Sequence, residues 1–197
     1  MKAKIAHTNR TTQYPINELI LNRWSPRAMS GTMISQEQLF SLFEAARWAP
    51  SSYNNQPWKF IYAQRTDPEW NDFLDLLVPF NKEWAQHAAV LIIIASDTLF
   101  AYNKKPSRTH AFDTGAAWQN MALQASSMGL VAHGMEGFNY TKAAALAQLP
   151  DSFQVHAMCA IGAPGDTATL SEEMRKQETP SNRNSIESFA FKGNFKG

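Results

Sequence analysis

The run AAVLIIIA at residues 88–95 constrains the fold more than any other stretch of this chain. Apolar and polar residues do not alternate in it, so a strand built from it is buried on both faces, and each face needs a covering layer. It is also less than half the roughly 20 residues that a membrane-crossing helix requires. The rest of the chain therefore has to supply the cover. At 197 residues it suits one domain, able to hide roughly 70% of its unfolded surface without staples.

Helical spacing supplies much of that cover. Residues 15–22 carry Ile16, Leu19 and Ile20. Ser35 to Gln38 has the form of a capping box and opens a helix whose inner face is expected to hold Leu39, Phe40, Phe43 and Ala46, stopped by Pro50. Pro68 suits the first turn of a helix reaching Val78, with Trp70, Phe73, Leu74 and Leu77 facing inward. A long helix over 108–128 ends at Gly129 and turns Trp118, Met121, Ala122 and Ala125 to the core. Shorter helices are expected over 141–148 and 170–176. Residues 58–63 and 155–161 read as further strands. The elements interleave with no repeat and no long linker. The expected fold is α+β, one layer of sheet flanked by helices, in a single domain spanning 1–197.

Composition narrows the function. Eighteen basic residues face 17 acidic ones, a net charge of +1 that gives no case for nucleic acid or a membrane surface. The opening residues MKAKIAHTNR lead into no long apolar stretch, so no signal peptide is expected and the protein reads as cytoplasmic. Cys159, the single cysteine, lies in an apolar run and reads as an inert buried thiol. The five histidines show no paired ligand spacing, so no metal site is expected. GxSxG, GxGxxG and the P-loop pattern are all absent.

Two polar stretches remain. In Arg23-Trp24-Ser25-Pro26-Arg27 two guanidinium forks flank a hydroxyl, which suits a phosphate. Two surface arginines on a turn would look the same. In Ala49-Pro50-Ser51-Ser52-Tyr53-Asn54-Asn55-Gln56-Pro57-Trp58, small hydroxyl and amide residues sit between prolines directly after an apolar helix. They fit either a solvated turn or a loop wrapped around a polar ligand.

Taken in order, these stretches resemble the FMN-dependent nitroreductase-like oxidoreductases. The resemblance rests on Arg23, Ser25 and Arg27, then on Ala45-Ala46-Arg47-Trp48-Ala49-Pro50-Ser51 followed by Asn54-x-Gln56-Pro57-Trp58. It continues through Asn81-Lys82-Glu83-Trp84-Ala85, Asp113-x-Gly115, Gly129-Leu130 and the segment from His133 to Phe138. It closes on Arg183-Asn184-Ser185-Ile186-Glu187-Ser188-Phe189.

The resemblance implies a central, mostly antiparallel sheet flanked by helices, in an intertwined homodimer with FMN at each of two interface sites. Arg23, Ser25, Arg27 and Arg183 would surround the phosphate. Asn81 would meet the pyrimidine side of the ring, and the backbone N–H groups of Glu136 and Gly137 its N5 and O4 edge. Pro50, Ser51, Ser52 and Asn54 would reach across to the flavin of the neighbouring subunit, and the polar region 162–197 would extend over that partner.

The implied activity is hydride transfer from NADH or NADPH and then to a small-molecule acceptor (a nitroaromatic, quinone or activated alkene) by a ping-pong cycle. FMN would carry the chemistry, so no catalytic side chain is expected. Other flavin reactions on the same scaffold (dehydrogenation, dehalogenation, flavin reduction) and a non-catalytic FMN-binding redox module remain open. Trp84 and Ser181 stand where some relatives carry cations, and residues 97–109 are short beside the helical excursion that caps the pocket in many members.

Overall fold

The computed structural model describes residues 10–195, so all but Arg10 of the opening residues read for a signal peptide lie outside it. Four strands, β1 (Trp58–Gln64), β2 (Val90–Asp97), β3 (Val131–Met135) and β4 (Phe153–Gly162), form one sheet in the order β1-β2-β4-β3. All three pairings are antiparallel.

Strand β2 is buried on both faces, as its composition dictates, and its pleat divides the core. Val90, Ile92 and Ile94 pack into one apolar cluster with Leu39, Leu42, Met121 and Ala125. Leu91, Ile93 and Ala95 pack into another with Trp70, Phe73, Trp84 and Met174. Fully burying a side chain of this size is worth about 1.5–3 kcal/mol, so this strand anchors both layers.

The first cluster is covered by α2 (Gln36–Arg47) and α5 (His110–Ser127). Helix α2 starts at the expected capping box, with the Ser35 side chain and Gln38 satisfying each other's backbone amides. Its buried face holds Leu39, Leu42 and Ala46, whereas Phe40, expected inside, is 49% exposed. The helix is turned so that Leu42 faces the sheet, and Phe40 packs edge-on against the partly buried Phe43. Helix α5 ends where Gly129 adopts a φ of 74°, the left-handed C-terminal conformation that glycine tolerates best.

The other face is covered by α3 (Trp70–Leu74), α4 (Pro79–Ala85), α6 (Tyr140–Leu146) and α7 (Glu172–Gln177). The single helix expected from Pro68 to Val78 is in fact the short α3. Leu77 bridges to Phe138, and Val78 is extended (ψ 153°), the conformation favoured before a proline. Pro79 then starts α4, whose missing N–H has no helical partner to lose. The segment expected as a helix over 15–22 is the shorter α1 (Glu18–Asn22), capped by Asn17. Among the described residues no helix is long and apolar enough to cross a membrane.

Candidate functional site

The RWSPR segment runs beside the end of β3 and the C-terminal part of the chain, and backbone contacts hold it there. His133 on β3 meets the carbonyl of Pro26 through Nδ1 at 3.0 Å. Glu178, just past α7, accepts the backbone N–H groups of Arg27 at 2.6 Å and Ala28 at 2.8 Å through one carboxylate oxygen. Its side chain is only 2% exposed, and its second oxygen is buried without a hydrogen bond, 3.8 Å from Arg27 Nη1. Arg27 also lies over the Phe80 ring of α4 at 5.6 Å. His133 packs against Trp84 at 4.6 Å, and burial pushes the imidazole below its ordinary pKa, assisted by the charges of Arg27 and Arg23.

Arg23 reaches Ser25 Oγ at 3.2 Å. Burial, then the charges of Arg10 and Arg183, hold Arg23 below its usual pKa. Arg10 is lowered by burial and by Arg183. Arg183 folds onto Ser181 Oγ at 2.9 Å and onto the carbonyls of Ser181 and Asn182. Among the described residues no carboxylate forms an ion pair with Arg10, Arg23 or Arg183. Like charges gathered without a counter-charge make a receptor for an anion. Arg10, which no local pattern singled out, is thus part of the cluster.

The segment continuing from β3 forms the next wall. Asn81 Nδ2 donates to the carbonyl of Gly137 at 3.0 Å, and Val78 N donates to the same oxygen at 3.1 Å. A Cβ on Gly137 would lie 2.7 Å from Asn81 Nδ2 and 2.9 Å from Val78 Cγ2, so the close approach of α4 requires glycine here. Among the described residues nothing accepts the N–H groups of Glu136 or Gly137. Two adjacent free amides form a donor pair suited to an electron-rich edge of a ligand.

The polar loop forms a separate group. Tyr53, Asn54 and Gln56 have φ of 52°, 52° and 47°, left-handed conformations that cost non-glycine residues of order 1–3 kcal/mol each. Several contacts impose them. Asp113 on α5 accepts Ser52 N at 3.1 Å, and Ser51 Oγ accepts Gln56 N at 3.1 Å. Asn55 accepts Ala101 N at 2.8 Å, tying the loop to the connection after β2. Pro50 and Asn54 are exposed, Ser51 and Ser52 half-buried. A rigid, strained, largely exposed loop is unlike a solvated turn. No hydrogen bond joins residues 50–54 to the arginine cluster of the same chain. Trp58, by contrast, is buried at the start of β1 and belongs to the core.

Another polar cluster lies at the far end of β2. The register of β2 against β4 shifts between Ile94 and Ala95, leaving His156 as an extra residue. Buried Ser96 meets His156 Nε2 at 2.7 Å and His110 Nδ1 at 2.8 Å. Cys159 is fully buried, and burial raises its thiol pKa strongly. Among the described residues no group of three or more His, Cys, Asp or Glu is arranged to hold a metal ion.

Comparison with known proteins agrees with this architecture. A crystal structure of an oxidoreductase containing FMN has a TM-score of 0.93 at 40% identity, covering 96% of this chain and 98% of that one. A Desulfovibrio desulfuricans protein crystallised in complex with FMN has a TM-score of 0.71 at 27% identity, covering 94% of this chain and 100% of that one. An Archaeoglobus fulgidus protein provisionally named an NADH dehydrogenase/NAD(P)H nitroreductase is 30% identical over 113 residues, 57% of this chain and 62% of its own length. The sequence profile described as "Nitroreductase family" matches residues 20–163, from α1 to just past β4. The chain belongs to the nitroreductase family.

Proposed function

We propose that this chain is an FMN-dependent NAD(P)H oxidoreductase whose acceptors are nitroaromatics, quinones or activated alkenes. The observation that carries the reading is the arginine cluster: Arg10, Arg23 and Arg183 share one region with no carboxylate partner among the described residues. Such a cluster accepts a phosphate, and the neighbouring donors fit the rest of FMN. Arg23, Ser25, Arg27 and Arg183 would hold the phosphate. Asn81, its Nδ2 engaged by Gly137, keeps a carbonyl oxygen to accept from the ring's imide N–H. The free N–H groups of Glu136 and Gly137 suit the ring edge on which negative charge develops.

Bound FMN supplies the hydride chemistry, taking two electrons from a nicotinamide and passing them to the acceptor. The chain's part is to bind, orient and shield the cofactor. Pro50, Ser51, Ser52 and Asn54, rigidly held yet unconnected to their own chain's arginines, fit a role in trans at the flavin of a second copy. The reading therefore includes a homodimer in which 1–197 acts as one cofactor domain and 162–197 extends over the partner.

The test is to add FMN to the purified protein and then NADH or NADPH under anaerobic conditions. A yellow protein that each addition of nicotinamide bleaches, and that a quinone or nitroaromatic recolours, is the expected result. A protein that takes up no FMN overturns the reading; one that stays yellow with both nicotinamides reduces it to an FMN-binding module.

A further inference from the structure

We infer, on the reading just proposed, that Arg10 is a positioning residue for the cofactor phosphate: it fastens the C-terminal segment to the end of α1 and so sets Arg183 beside Arg23. The Arg10 guanidinium makes three hydrogen bonds, all to backbone carbonyls. Nε donates to Ser181 O at 2.9 Å, and Nη1 donates to both Leu21 O and Arg23 O at 2.9 Å. Leu21 lies in the last turn of α1 and Arg23 is its C-cap, where helical N–H partners run out and carbonyls need outside donors. Ser181 lies 171 residues further along the chain. The Ser181 carbonyl is shared, since Arg183 Nη1 also donates to it at 3.2 Å. A planar fork with fixed donor directions can make this bridge; a single ammonium group cannot reproduce it.

The choice of acceptors matters as much as the bridge. A carboxylate anchor would hold the segment equally well and would cancel the charge of Arg10. Carbonyl oxygens hold it and leave the charge in the site. Burial first, and then the charges of their cationic neighbours, hold Arg10 and Arg23 below their usual pKa, and the three like charges repel one another until an anion joins them. A phosphate monoester carries about −1.5 to −2 charges at neutral pH and relieves that repulsion. Fastening the C-terminal segment and tightening on phosphate are thus one event, with Arg10 acting through the placement of Arg183. A further contact runs the same way: Gln13 Oε1 accepts Ile186 N at 3.1 Å, so the stretch just after Arg10 lies beside the stretch just after Arg183.

The experiment is equilibrium titration of the apo-protein with FMN and, separately, with riboflavin, which lacks the phosphate. Wild type, Arg10→Met and Arg10→Lys are compared, with backbone hydrogen exchange followed over residues 182–186. Arg10→Met is expected to lose about tenfold or more in FMN affinity, the scale of a charged hydrogen bond, with riboflavin affinity within about twofold of wild type. Arg10→Lys, which keeps the charge but not the fork, is expected to recover less than half of that loss on a logarithmic scale. Amides 182–186 should exchange faster in both variants. Full recovery by Arg10→Lys would show that charge alone matters and overturn the inference. Equal losses for both flavins, or an Arg10→Met protein with unchanged FMN affinity, overturn it too. Wild type that binds neither flavin removes the proposed function along with the inference; wild type that binds FMN beside an unaltered variant removes only the inference.

Discussion

Replacing Glu178 with alanine tests how the RWSPR segment is held. One carboxylate oxygen accepts two backbone amides, Arg27 N at 2.6 Å and Ala28 N at 2.8 Å, in a side chain 2% exposed. A hydrogen bond to a charged group is worth about 1.5–3 kcal/mol, giving a gross loss of about 3–6 kcal/mol for the pair. Part of this is returned, because the desolvation penalty of the buried carboxylate also disappears. A net destabilisation of about 2–4 kcal/mol follows. In a domain of this size each kcal/mol moves the melting temperature by about 2–4 °C, so Glu178→Ala should melt about 4–16 °C lower. Glu178→Gln keeps an acceptor for both amides but sets an NH2 group against the Arg27 guanidinium, and should fall between the two. Thermal unfolding of the apo-proteins by circular dichroism measures this directly. A Glu178→Ala protein melting within about 2 °C of wild type would sink the argument that this carboxylate anchors the segment.

Gly137→Ala places a methyl 2.7 Å from Asn81 Nδ2 and 2.9 Å from Val78 Cγ2 and should cost about 1–3 kcal/mol. Because the nearer clash is with Asn81, Asn81→Ala should cost less in the Gly137→Ala background than alone; strictly additive denaturant midpoints would refute the contact. His133 and His156 are both held below the ordinary histidine pKa, so the folded protein binds fewer protons than the unfolded chain. The stability they contribute is complete above about pH 6.5 and is lost as pH falls below it. Melting temperature should therefore drop between pH 7.5 and 5.5, and less so in His156→Gln; a flat wild-type profile contradicts this. Arg183→Ala should weaken FMN binding by about 1.5–3 kcal/mol while sparing riboflavin, and equal losses would place Arg183 elsewhere. Asn54→Ala should impair the same sites in trans. A dimer joining one chain of each kind should regain near half of wild-type activity, and verified mixed dimers that regain none would show that the loop does not act across the interface.

The parts legible in the sequence were those governed by near neighbours. The capping box at Ser35, the doubly buried run of β2 and the stop at Gly129 follow from residues within a few positions of one another. Strand β3 escaped notice because Val131-Ala132-His133-Gly134-Met135 is short and interrupted by glycine, and its pairing with β4 supplies what its own propensity lacks. The overlong helix toward Val78 arose because its apolar spacing continues past the point where Leu77 turns to pair with Phe138. In the site, the arginines and the serine- and asparagine-rich loop stood out by residue type. Glu178 and Arg10 act on backbone groups 151 and 171 residues distant, and no local pattern marks either; Asp113 stood out within a motif, but its contact with Ser52, 61 residues away, did not.

The strand order also has a kinetic side. Strand β2 borders β1, made before it, and β4, the last of the four described strands to be synthesised, while β3 pairs with β4 alone. Until β4 emerges, β2 has one unpaired edge, and its side chains are among the most apolar in the protein. At about 5–20 residues per second, the roughly 55 residues between the two strands (98–152) take about 3–11 s to appear. A nascent chain stalled in that interval exposes an open strand edge of the kind that seeds aggregation, so chaperone demand should peak after β2 and before residue 153 has emerged from the ribosome. Slowing translation while β2 has emerged and β4 has not is expected to lower soluble yield, whereas slowing it after residue 162 has emerged leaves yield unchanged.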